Sequence, residues 1–296
     1  MNVTRAMKDS RRRIAWVTLL VLSGVSSVAT AQTAAPAARS TRQLQALRID
    51  EPITIDGVLD EPAWSRAEVG RDFTQQDPDD GAPATEASDF RILYDNDALY
   101  FGATFQDSNP RGPIVDDLKR DFEGRNGDII ALSLDTFGDT TAYNFNLNAA
   151  GALRDTQSHE DGRQFNGNWD VVWEARTSRF EGGWIAEVRI PFKSMRFPRS
   201  EEQNWTMNAF RLIRRKNEYT YWSPQPRQFS NYKISFGGRL VGIRDVKPGR
   251  NIQVKPFYTG AASNLRLPTL DRTWEDRKST RLNSSHVSES RMPSSA

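Results

Sequence analysis

Between residues 128 and 147 the chain reads DIIALSLDTFGDTTAYNFNL, and apolar residues fall at every second position. Ile130, Leu132 and Leu134 alternate with Ala131, Ser133 and Asp135; after a turn at Gly138-Asp139, Tyr143, Phe145 and Leu147 alternate with Asn144, Asn146 and Asn148. Successive side chains of a strand point to opposite faces, so this period of two predicts an antiparallel hairpin with one apolar and one polar face. The apolar face builds core. The polar face carries a row of amides, which suit a neutral, hydroxyl-rich ligand; a solvent-facing sheet surface or a set of loop anchors is the other reading.

The same alternation recurs along the chain. Residues 53–64 (ITIDGVLDEPAW) predict a short strand, a turn at Asp56-Gly57 and a short helix capped by Asp60, with Trp64 as a core plug. Phe90, Ile92 and Tyr94, then Leu99, Phe101, Ala103 and Phe105, flank the Asp95-Asn96-Asp97 turn of a second hairpin. Residues 107–126 are polar and irregular, and residues 151–168 read as a long polar loop. Further strands are expected over Trp169 to Ala175, Trp184 to Ile190, Trp205 to Leu212, Tyr219 to Trp222 and Arg239 to Ile243. Many short strands separated by turns, without helical periodicity, mean an all-β protein: an antiparallel β-sandwich with a short N-terminal helix.

The ends differ from the middle. Residues 1–31 combine Arg5, Lys8, Arg11, Arg12 and Arg13 with an apolar run from Ile14 to Leu22 and a small-residue ending, Ala29-Thr30-Ala31. This is the pattern of a signal peptide, too short to span a membrane. Residues 32–49 follow as a linker, 50–245 as the sandwich, and 246–277 as the start of an outer-membrane barrel or a soluble edge strand. Residues 278–296, rich in Ser and without periodicity, read as a non-native or disordered tail.

The leader changes the charge balance. It holds five Lys+Arg and one Asp, so the remaining chain carries 35 basic against 37 acidic side chains, a net of −2. Nucleic acid is therefore not an expected partner. The leader points to export, and together with the barrel-like alternation after Asn251 to the periplasm or outer membrane of a Gram-negative bacterium. There is no cysteine, which excludes thiolate zinc sites, disulfides and a Cys/His dyad.

Asp95, Asp97 and Asp128 are the metal candidates, although paired acids in a tight turn more often shape the turn. His159-Glu160 lacks the second histidine of a zincin helix. No nucleophile elbow, P-loop or dinucleotide fingerprint occurs, and no catalytic residue is assigned.

Five motifs in order resemble the family 9 carbohydrate-binding module: IDGVLDEPAW at 55–64, LYDNDALYFGATFQD at 93–107, GDIIALSLD at 127–135, GGWIAEVRIPF at 182–192, and a late strand with Asn208 and Arg211 followed by YWSP at 221–224. The chain is also similar to proteins in which such a module precedes a large outer-membrane barrel. The resemblance implies a β-sandwich that binds oligo- or polysaccharide in carbohydrate catabolism, with structural calcium. By association it would also imply a place beside a hydrolase of O-glycosyl bonds. Such modules grip sugar ends between two tryptophans. Here Arg125 stands at one of those places and Phe229 and Tyr232 near the other. The expected face therefore comprises Arg125, Asn144, Asn146, Asn148, Asn208, Trp222 and Tyr232. The alternative is a periplasmic plug or interaction domain of the barrel, without sugar binding.

Overall fold

The alternating segments pair into two stacked sheets in a computed structural model, which describes residues 40–249 except Pro110. The leader, the expected barrel strand and the tail lie outside the described residues. The larger sheet runs in the order β1 (Gln43–Gln45), β14 (Gly238–Arg244), β12 (Glu202–Ile213), β6 (Ile129–Asp135), β7 (Ala142–Asn148), β8 (Leu153–His159) and β9 (Gln164–Asn166). On its flank β13 (Glu218–Tyr221) pairs with β12 and with β3 (Thr74–Asp77). The smaller sheet runs β10 (Glu174–Phe180), β11 (Gly183–Pro191), β5 (Ala98–Gln106), β4 (Ser88–Tyr94) and β2 (Leu47–Arg48). The fold is thus the expected sandwich. Every pairing is antiparallel except two short parallel ones, β1 with β14 and β2 with β4.

The predicted inward stripes make the core. Ile130, Leu132, Leu134, Tyr143, Phe145 and Leu147 meet Ile92, Phe101, Phe105, Trp184, Val188 and Ile190 between the sheets. Trp222 closes one end edge-on to Phe90, with ring centroids 5.5 Å apart. A polar tie crosses the same interior: Arg211, fully buried on β12, donates to the carbonyls of Ala87 (3.1 Å) and Gln106 (2.6 Å) and to Ser88 Oγ (2.9 Å) in the smaller sheet.

Three local expectations are corrected. Part of the stretch read as linker is ordered, because β1 and β2 each find an edge to extend. Residues 53–55 pair with no strand. They belong to a segment pinned across the outer face of the smaller sheet, where Glu187 Oε2 accepts the N–H groups of Asp56 and Gly57, both at 2.9 Å. The residue before α1 (Pro62–Arg66) is Glu61, not Asp60, and makes no cap bond; its carboxylate instead accepts Thr54 N–H and Trp64 Nε1–H.

Trp64 fills a second apolar cluster with Leu93, Ala98 and Tyr100. Its seat exists because β5 carries Gly102 there: a Cβ at that position would lie 2.6 Å from Trp64 Cζ3 and 2.8 Å from Leu59 Cδ2. Gly102→Ala is therefore expected to lower stability by about 1–3 kcal/mol, an overpacking effect measurable by thermal melting.

Candidate functional site

The strand register brings residues far apart in sequence into rows on the outer face of the larger sheet. One row runs Tyr221, Phe210, Ala131, Asn146 and Arg154 across β13, β12, β6, β7 and β8. A parallel row holds Asn208, Ser133, Asn144 and Thr156, and Phe165 pairs with Ser158 at the β9 edge. The face grades from aromatic at β13 to amide, hydroxyl and guanidinium at β8.

The loop over 229–236 crosses this face and is pinned at three points. Lys233 Nζ, Ser235 N–H and Ser235 Oγ all reach the Asp161 carboxylate at the β8–β9 turn, the two Ser235 bonds at 2.9 and 2.7 Å. These donors hold the Asp161 carboxyl below its ordinary range although burial opposes them. Gly162 lies against the Tyr232 backbone, where a Cβ would come within 2.5 Å of the Tyr232 carbonyl oxygen. Its φ of +80° also requires glycine. Tyr232 is thereby set edge-on to Phe165 (centroids 5.0 Å apart), and its hydroxyl donates to Asn146 Oδ1 at 3.4 Å.

Opposite Tyr232 lies the loop carrying Phe122 and Arg125. Arg154 Nη1 donates to the Phe122 carbonyl at 3.1 Å and passes over Gly124, the neighbour of Arg125. Burial raises the Tyr232 phenol pKa, and the positive charges of Arg154 and Arg125 oppose that rise. Two predicted residues, Asn146 and Tyr232, are thus in contact, and a third, Arg125, lies within electrostatic reach of the Tyr232 phenol.

The other predicted contacts are corrected. Asn144 is fully buried, accepting from Ser133 Oγ (2.7 Å) and donating to Ser158 Oγ (3.2 Å). Asn148 donates to the Asp117 carbonyl and accepts from Ala150 and Ala152 N–H, which shapes the β7–β8 turn. Asn208 pairs with both backbone groups of Ser223, at 2.8 and 2.9 Å. Trp222 points into the sandwich core, away from this face. The three asparagines are withdrawn from solvent, Asn144 by its strand neighbours and Asn148 and Asn208 by the loops at Asp117 and Ser223, and a buried amide must be satisfied internally. Asn146 is also buried, so it supports Tyr232 from beneath.

Arg154 and Phe165 were not among the expected site residues. Both fall in the stretch read as a loop, where Asp155 and Gln157 between Arg154, Thr156 and Ser158 leave no contrast of faces to signal a strand. Phe165 is half exposed and Arg125 exposed, so ring and guanidinium surface remain open at this place.

Of the metal candidates, Asp95 is committed to its own turn. Asp95 accepts from Asp97 N–H, Ala98 N–H and Tyr100 Oη, at 2.7 to 2.8 Å, and is a turn former. Asp128 accepts Arg214 N–H at 3.0 Å and is pushed upward in pKa by burial. Among the described residues, no group of three or more His, Cys, Asp or Glu side chains could hold a metal ion.

The model of the carbohydrate family 9 binding domain-like family matches residues 55–213, more than half of the chain. The chain belongs to that family. Among solved structures, a protein of Bacteroides uniformis named for an inferred carbohydrate-binding role aligns with a TM-score of 0.53 at 14% identity, over 68% of this chain and 99% of its own, and shares the fold. Two structures of a family 9 module of Caldicellulosiruptor kristjanssonii also align. The complex with cellotriose gives a TM-score of 0.47 at 15% identity over 74% of this chain and all of its own; the glucose complex gives 0.46 at 14% over 73% of this chain and again all of its own. A search of curated proteins finds no match.

Proposed function

We propose that this family 9 domain is a non-catalytic saccharide-binding module whose contact surface is the Tyr232–Phe165–Arg125–Arg154 patch. The observation that carries the reading is an aromatic pair set beside one buried amide and its register partner Arg154, with Arg125 within electrostatic reach of Tyr232, on a face pinned by the Asp161 anchor. Rings cover the apolar face of a sugar, and guanidinium N–H groups donate to its hydroxyls. The named ligands of the C. kristjanssonii module, cellotriose and glucose, indicate the class of compound to try.

Calorimetric titration of the full chain with cello-, xylo- and uronic-acid-containing oligosaccharides is the test. Tyr232→Ala is expected to weaken binding at least about tenfold, the value of one stacked ring with its hydrogen bond, while circular dichroism stays native. Absence of binding to every member of the panel rejects the proposal.

The basic, apolar leader supports export, and the alternation beyond Asn251 supports attachment to an outer-membrane barrel. In that setting the module would hold glycan at the cell surface for catabolism. The covering of the amide row favours a second reading, a barrel-associated plug or interaction domain without sugar binding.

A further inference from the structure

The proposed site has an unusual charge for one that meets neutral sugars. Arg125 is exposed and pairs with no carboxylate among the described residues. Arg154 spends one Nη1 bond on the Phe122 carbonyl and likewise has no acidic partner. The nearby acids are engaged elsewhere or stand apart. Asp155, on the inner side of β8, binds Arg120, Val171 N–H and Trp173 Nε1–H. Asp161 holds Lys233 and Ser235, and Glu160 accepts from Gln164. Asp121 and Glu123 are exposed on the Arg125 loop and form no ion pair with either arginine.

We infer that this patch selects a saccharide carrying a carboxylate, such as a uronic acid residue, with the sugar ring against Tyr232 and Phe165 and the carboxylate received by Arg125 and Arg154. The inference rests on the saccharide-binding reading above. Its physical basis is the fork geometry of the guanidinium, which matches a carboxylate with two parallel hydrogen bonds and adds an attraction between full charges that a neutral hydroxyl does not offer. Arg154 is pre-positioned by its bond to the Phe122 carbonyl, which fixes one side of the fork before ligand arrives. Cations also act on the Tyr232 phenol without an opposing acid from these loops.

The full chain is titrated with trigalacturonic acid, its methyl ester, a glucuronyl xylo-oligosaccharide and cellotriose. The acid is expected to bind about tenfold or more tightly than its ester, with an affinity that falls as salt rises. Arg125→Gln, at an exposed side chain with no internal partner, is expected to fold normally and to bring acid and ester within about threefold of each other. Equal affinities for acid and ester in the native chain overturn the inference. If Tyr232→Ala then removes both, the saccharide reading survives alone. If no ligand of the four binds, both readings fall together.

Discussion

Arg211→Met is expected to unfold at lower urea concentration than the native chain, with a loss of about 3–5 kcal/mol and little change in the slope of the transition. The guanidinium sits wholly inside the sandwich, and its three hydrogen bonds all reach the smaller sheet from the larger one. It also lies over the Phe105 ring, 5.2 Å from the centroid. Burial lowers its pKa to about 10 despite the charges of Asp128, Asp107, Glu86 and Glu218, so it remains a cation at neutral pH. Methionine fills similar volume but removes the donor to the Gln106 carbonyl and Ser88 Oγ, leaves the Ala87 carbonyl with Gln106 N–H alone, and takes away a buried positive charge that Asp128 and Glu218 feel. Arg211→Lys keeps the charge and loses the fork, so it falls between the two. A methionine variant as stable as the native chain would mean that the tie contributes nothing net.

Glu187→Gln is expected to be more stable than the native chain above pH 7, and the gap closes toward pH 4.5. Glu187 is fully buried under the Asp56-Gly57 turn, and only Oε2 is hydrogen-bonded, to two backbone N–H groups. Desolvation raises its pKa from 4.5 to about 7, with the Gly57 and Asp56 N–H groups opposing and the charges of Glu61 and Asp56 adding. An acid whose folded pKa is raised binds its proton more tightly when folded. Its contribution is complete below pH 4.5 and is lost as pH climbs through 7, by up to about 3 kcal/mol. Glutamine keeps a carbonyl for the two N–H groups and carries no charge. Asp128, Asp135 and Asp155, whose pKa values burial also raises, tilt both proteins alike, so the difference between the two pH profiles isolates Glu187. A constant gap from pH 5 to 8 would refute this account.

Strand existence was legible in the chain wherever one face met the core. Ile130, Leu132 and Leu134 and the second stripe Tyr143, Phe145 and Leu147 go where their period of two sends them. The β8–β9 hairpin was not legible, because Arg154, Thr156 and Ser158 face a covered polar surface while Asp155 and Gln157 occupy the alternate positions. Period-two reasoning detects contrast between faces, and here both faces are polar.

The site failed in a related way. Alternation tells that Asn144, Asn146 and Asn148 share a side of β7, but not that the loops over 107–128 and 229–236 fold over that side and consume its amides. Arg125 and Tyr232 were found through the family pattern, whereas Arg154 depends on the Asn146–Arg154 register, a long-range fact that no local window contains.

The first and last strands of the sandwich are partners. Gln43 to Gln45 lie in register with Arg239 to Val241, and Arg48 Nη1 reaches the Arg244 carbonyl across a separation of 196 positions at 3.0 Å. Folding therefore cannot proceed as a chain emerges residue by residue from a ribosome or translocon: until β14 has been delivered, β1 has nothing to add to and β12 shows a bare rim. Closure of so long a loop is slow and non-local, and the waiting edge is a template for other chains. A cell must hold this polypeptide apart from its neighbours until nearly the whole domain has been made.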